Sequence, residues 1–260
     1  MIQENKNISL PQFNRNFFDS EESFSWIGNG SFGGKASGLA FIKKIIDDNI
    51  KPDEFPNVSV SIPKMVVLRS SVFDSFMERN NLFNFALNEE SDIRIINEFL
   101  KADLPVEFLG DLRTIIEKVK VPLAIRSSSM LEDAKYEPFA GIYATKMIPN
   151  NQTSMDIRFN KLVEAVKFVF ASTYFKASKD YFKVSSHTVE EEKMAVIIQE
   201  VVGQNRNLRY YPHISGVARS FNFYPSGKAK PEQGVVNLAL GLGKTIVDGG
   251  IVWSYCPVYP

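Results

Sequence analysis

The stretch KVPLAIRSSSMLEDAKYEPFAGIYAT, from Lys120 to Thr145, constrains the fold more than any other. Its apolar run, Val121 to Ile125, reads as a short buried strand. That strand delivers Arg126 and then three hydroxyls in succession, Ser127, Ser128 and Ser129. An acidic, turn-like loop follows, and a second strand is expected over Gly141 to Ile148. A strand holds an arginine rigidly, and the planar guanidinium presents a fork of donors. With hydroxyls and loop amides added, the stretch supplies more donors than one carboxylate can use, which suits a phosphate ester. The same spacing also fits a strand-end arginine paired with Glu132 or Asp133 over a serine-rich turn.

A second phosphate signal lies upstream. Trp26 to Gly38, WIGNGSFGGKASG, holds five glycines and Lys35. From Lys35 the pattern turns helical, with Leu39, Ile42, Ile45 and Ile46 expected on one buried face. A glycine-rich loop that feeds a helix N-terminus offers close backbone approach, free amides, a favourable dipole and a mobile cation. A Walker A loop is excluded, because Asn29 stands where its first glycine belongs and Ala36 where its magnesium-binding hydroxyl belongs. A tight turn beside an exposed lysine is the plainer reading of the same residues. Near the other end, Gly241-Leu242-Gly243-Lys244-Thr245 is the tail of a P-loop with Leu238 in place of its leading glycine, so a P-loop NTPase is rejected as well.

The rest of the chain alternates helix and strand patterns. Phe13, Phe17, Phe18 and Phe24 can pin an otherwise polar N-terminal segment onto the body. Strands are expected over Val58 to Ile62 and Lys64 to Arg69, with Ser70 or Ser71 capping a helix to about Arg79. Helices follow over Asp92 to Lys101, Pro105 to Lys120 and Met155 to Ala171, and another reaches about Lys183. Ser185 to Glu192 reads as an exposed acidic turn, and Lys193 to Val202 as an apolar strand whose far end carries Gln199 and Glu200. Such a strand end can present backbone groups and a side-chain amide to an adenine edge, or can simply reach the surface. Asn205 to Pro212 reads as a basic, aromatic loop packed on the body, before strands at Ile214 to Phe223 and Gln233 to Leu240.

Composition removes several alternatives. Thirty basic and thirty acidic residues cancel, which leaves no footprint for nucleic acid or an anionic membrane. A single cysteine, Cys256, rules out an internal disulfide and favours a reducing compartment, so the cytoplasm is expected. No apolar run is long enough to span a bilayer, and the polar N-terminus lacks the order of a signal peptide. The two histidines, His187 and His213, have no metal-ligand spacing.

Several stretches, in order, resemble the N-terminal nucleotide-binding domain of the phosphoenolpyruvate synthase and pyruvate phosphate dikinase family. They are Gly34-Lys35-Ala36-Ser37-Gly38-Leu39, Leu123 to Ser129, Glu132-Asp133, Phe139-Ala140-Gly141, Val196 to Val202, Ser215-Gly216-Val217, and Gly241-Leu242-Gly243 with Val247 and Gly249. The resemblance implies a mixed α/β, ATP-grasp-like fold, of which this chain is expected to be the N-terminal part. Residues 1–25 would be an extension, 26–135 a first lobe with the glycine-rich loop and the arginine strand, and 136–260 a second lobe. Strands after about 193 are expected to return to the first lobe. Lys35 and Arg126 then look like the residues that grip the ATP phosphates. Gly141 and Thr145 match positions that cover the nucleotide, and Gln199 with the backbone at Val201 matches the adenine-lining segment. In such enzymes ATP gives a phosphoryl group to a histidine on a separate domain, which passes it to pyruvate or another acceptor. Magnesium accompanies ATP there, with its ligands expected past residue 260.

The chain also departs from that family. Lys244 stands where a glutamate is usual, and ARSFNFYP, Ala218 to Pro225, replaces a phenylalanine-threonine and Asp-Pro pattern. These departures motivate an alternative expectation, a nucleotide- or partner-binding regulatory domain without catalysis. The 260 residues alone are not expected to complete catalysis.

Overall fold

The computed structural model describes residues 10–51, 54–130, 141–185, 188–189, 192–243, 246 and 249–260. Glu132, Asp133, Phe139, Ala140, His187, Lys244 and Val247, singled out above, lie outside the described residues. The fold is mixed α/β and divides into two compact units, Met1–Val201 and Val202–Pro260.

The first unit is built on one sheet. Its strands are β1 (Phe24–Ile27), β2 (Met65–Leu68), β3 (Leu123–Ser129), β4 (Thr145–Ile148) and β5 (Met194–Glu200), in the order β1-β2-β5-β3-β4. Only β1 and β2 pair in parallel, and the other neighbours are antiparallel. The helices are α1 (Gly33–Asn49), α2 (Ser70–Arg79), α3 (Leu82–Asn88), α4 (Asp92–Lys101), α5 (Val106–Lys118), α6 (Met155–Ser172) and α7 (Lys176–Phe182). Both sheet faces are covered, which explains why MVVL and AVII read as unbroken apolar runs rather than alternating ones. Val66, Leu68, Leu123, Ile125, Val196 and Ile198 join the larger core with Phe73, Phe76, Phe99, Phe170 and Tyr174. Met65, Val67, Ala195 and Ile197 point the other way, onto Phe24 and the Ala36 and Ala40 faces of α1.

Several expectations change in the structure. α1 turns Ala36 and Ala40 inward, while Ile42 and Ile45 are 46% and 44% exposed. Small side chains let this helix lie close on the sheet, so its larger residues are displaced to the flank. Val58 to Ile62 forms no strand, because both edges of β2 are already occupied by β1 and β5. β3 does not end at Arg126 but runs on through Ser129, paired with β5 down to Met194. The second strand shrinks to β4, whose pairing with β3 spans only Leu123 to Arg126. Glu192, expected in an exposed turn, is buried. The N-terminal phenylalanines behave as expected: Phe13, Phe17 and Phe24 are buried, and Phe13, Phe17 and Phe18 meet edge to face.

The second unit holds a three-stranded antiparallel sheet of β8 (Ile214–Arg219), β9 (Val235–Leu240) and β10 (Trp253–Tyr255), in the order β10-β9-β8. The segment read as a basic loop is instead a hairpin of β6 (Gln204–Arg206) and β7 (Arg209–Tyr211). Asn207, at φ 58°, supplies the left-handed residue that its two-residue turn demands.

Candidate functional site

The glycine-rich loop is stitched to the corner between β2 and α2. Ser31 and Ser70 exchange two bonds: the Ser31 N–H donates to the Ser70 hydroxyl, and the Ser70 N–H to the Ser31 carbonyl, each at 3.0 Å. Asn29 and Ser71 repeat the pattern at 2.7 and 3.0 Å. Ser70 and Ser71 therefore serve the loop, and neither caps α2 through its side chain. Arg69 completes the clasp. Its guanidinium donates to the Gly30 carbonyl and lies 4.9 Å from the Trp26 ring and 4.5 Å from the Phe32 ring. The loop amides at Asn29, Ser31, Gly33 and Ala36 are thus held by serine hydroxyls, so the loop is a pre-formed scaffold rather than an open cradle of free amides.

The start of α1 is anchored on β3. The Ser128 hydroxyl accepts the Ala36 N–H at 3.0 Å and donates to the Phe32 carbonyl at 2.8 Å. Gly33 sits so close that a Cβ would fall 1.8 Å from the Ser128 carbonyl oxygen, and its φ is +71°. Only glycine fits there. This contact places Lys35 beside the arginine strand, where its Nζ donates to the Ser127 hydroxyl at 3.2 Å. The next residue along, Arg126, is half-buried between Thr145 on β4 and Ile197 on β5, and its Nη1 donates to Gln199 Oε1 at 3.3 Å. Gln199 is itself buried, not a surface strand end.

Arg126 and Gln199 therefore meet on one face, with Thr145 the register partner of Arg126, while Lys35 reaches Ser127, the next residue of the same strand. Two of the expected residues stand apart from these contacts. Gly141 is an exposed turn residue at φ +80° with open space around its missing side chain. Val201 follows β5, and its N–H is already taken by the Pro122 carbonyl at 2.9 Å.

A polar cluster invisible to sequence reasoning lies at the far end of β3. The Tyr143 hydroxyl donates to Glu192 Oε2 at 3.0 Å, and the Met130 N–H to Glu192 Oε1 at 3.2 Å. Burial pushes the Glu192 carboxyl up to about 7, although the Tyr143, Ser129 and backbone hydrogen bonds oppose it. Burial and the neighbouring carboxylate likewise push the Tyr143 hydroxyl upward. The one available signal was Glu192 adjoining the apolar run of β5.

Among the described residues no group of three or more His, Cys, Asp or Glu could hold a metal ion. Among them, too, no helix is long and apolar enough to cross a membrane.

A cation from a glycine-led helix and another from β3, with a buried amide beside the second, are the groups the site offers, and the comparison of sequences gives its class. Residues 29–254 match the family of the pyruvate phosphate dikinase AMP/ATP-binding domain, and the chain belongs to it. It is also 25% identical over 190 residues to a protein of Bacillus subtilis (strain 168) named uncharacterized phosphotransferase YvkC, a match that covers 73% of this chain. The chain spans about 20% of that relative's length.

Proposed function

We propose that this domain binds ATP in an ATP-grasp-like manner and serves a phosphotransferase. One observation carries the reading: two cations far apart in sequence are anchored at neighbouring residues of one strand, Lys35 Nζ on Ser127 at 3.2 Å and Arg126 Nη1 on Gln199 at 3.3 Å. Phosphoryl transfer needs little covalent chemistry from the protein and much positioning and charge neutralisation, which two rigidly mounted cations supply. Arg126 has a strand for its mount, and Lys35 has a helix start locked by Ser128. Gln199 uses its carbonyl oxygen to orient Arg126, which leaves its amide nitrogen to meet a base edge. Because the Val201 N–H is occupied, hydrogen bonding to adenine at this segment falls to other groups. Thr145 and Gly141 flank the nucleotide in this reading.

The relative's name gives the class of reaction, phosphotransfer, which we carry to this chain. The acceptor in this reading is a histidine on a separate domain, followed by pyruvate or another small molecule. A reducing, cytoplasmic setting accords with the single cysteine. No step here is routed through magnesium.

The test is the melting temperature of the chain with and without ATP. A ligand held at one hundred times its Kd stabilises the folded state by about 2.7 kcal/mol. The wild type is expected to melt higher with ATP, and Lys35→Ala and Arg126→Ala to lose most of that shift. An equal shift in all three proteins would contradict the assignment of these residues.

A further inference from the structure

The segment that departs from the family pattern, Ala218 to Pro225, lines one wall of a cleft of about 620 Å³ in the second unit. We propose that this cleft is a binding site for a small phosphorylated molecule that carries a planar ring. The proposal goes beyond the ATP reading, and none of its residues belongs to the Lys35–Arg126 patch.

The cleft opens on one face of the β8–β9–β10 sheet. Arg219 pairs across to Val235, and Val217 to Asn237 and on to Ser254, so Arg219, Asn237 and Ser254 share that face. The wall is fixed by its own bonds. The Asn222 N–H donates to the Pro231 carbonyl at 2.8 Å, and the Asn222 side chain accepts the Tyr224 N–H at 3.0 Å. Gly234 closes behind Arg219 so tightly that a Cβ would lie 2.4 Å from the Arg219 carbonyl oxygen. The backbone that presents Arg219 is therefore set by local geometry and not by a ligand.

The lining chemistry defines the occupant. Arg219 and Lys228 both face the cleft, and among the described residues neither makes an ion pair. Two cations suit a phosphate dianion, whereas a carboxylate needs one. Asn237 adds an amide, and Ser226 and Ser254 add hydroxyls. Tyr224 and Tyr259 line the cleft with flat rings, and Tyr224 is 91% exposed, so its face is open to stacking. The volume lies within the range of small-molecule sites, about 300 to 1,000 Å³. The surroundings favour an anion as well: from Val202 onward the chain carries Arg206, Arg209, Arg219, Lys228, Lys230 and Lys244 against only Glu232 and Asp248.

The test titrates the whole chain calorimetrically with phenyl phosphate and, separately, with inorganic phosphate. We expect saturable binding of phenyl phosphate, weakened about tenfold or more, or 1.4 kcal/mol, by Arg219→Ala and by Lys228→Ala. Both side chains are exposed, so circular dichroism should report an unchanged fold. Repeating the titrations in a Lys35→Ala background removes any phosphate ester held at the ATP patch, and the loss caused by Arg219→Ala should persist there, which separates this cleft from that patch whatever becomes of the ATP reading. Absence of saturation at roughly 10 mM, or affinity indifferent to both cleft substitutions, overturns the site. Inorganic phosphate binding as tightly as phenyl phosphate overturns the ring-stacking half of the proposal.

Discussion

Glu192 is a carboxylate placed where a carboxylate is expensive. It is 2% exposed, and its folded-state pKa of about 7 lies above the ordinary 4.5. Between those two values the folded chain binds more protons than the unfolded chain, so stability falls as pH rises through this window and levels off above it. Glu192→Gln keeps one accepting oxygen for the Met130 N–H, turns the contact with Tyr143 into one in which the amide donates to the phenol oxygen, and removes the ionisation. Urea denaturation should then show the variant gaining of order 1–3 kcal/mol on the wild type from pH 5 to pH 8. Identical pH profiles would mean that Glu192 is not the titrating group. Ser128 matters for a different reason, since it is fully buried and serves both Ala36 and Phe32. Ser128→Ala strands a buried N–H and should cost about 1–3 kcal/mol in the same assay.

At the scale of elements, α1 and its leading loop depend on two glycine environments that differ sharply. Gly33→Ala drives a methyl into the Ser128 carbonyl at positive φ, whereas Gly38 has nothing within 4 Å and lies in the helix interior. Thermal melts should show Gly33→Ala strongly destabilised, by about 3 kcal/mol or more. Gly38→Ala should be neutral or stabilised by up to about 1 kcal/mol. The reverse order would contradict the packing of α1 on β3. The same elements show what the sequence can and cannot disclose. α2, α4, α6 and β5 are legible because their apolar periodicity is local and strong. The Arg126 strand and the Lys35 helix are legible too, since each is announced by its own motif. The clasp of Ser70, Ser71 and Arg69 on the glycine-rich loop is not, because its hydrogen bonds cross some 40 residues of chain. Serines after a strand look like helix caps until the fold brings a second partner. Glu192 is hidden by the same effect, as only the Tyr143 hydroxyl shows that an acidic stretch ends inside the core.

For the molecule as a whole, a net charge of zero conceals an uneven distribution, with the basic excess gathered after Val202. Neutrality of the whole chain therefore does not argue against anionic ligands, and both proposed sites rest on local cations. Family membership covers residues 29–254, and the named relative gives phosphotransfer as the class of chemistry to test. The central claim is that Lys35 and Arg126 act together on the phosphates of one nucleotide. The most direct measurement is a double-mutant cycle on affinity, with Lys35→Ala, Arg126→Ala and the double variant each titrated with ATP and with adenosine. Each single substitution should weaken ATP by about tenfold or more, and the double variant should depart from additivity by about 0.5–3 kcal/mol, as expected for residues sharing one ligand group. Adenosine affinity should change little in all three. Strictly additive effects on ATP, or adenosine weakened as much as ATP, would contradict a shared phosphate clamp.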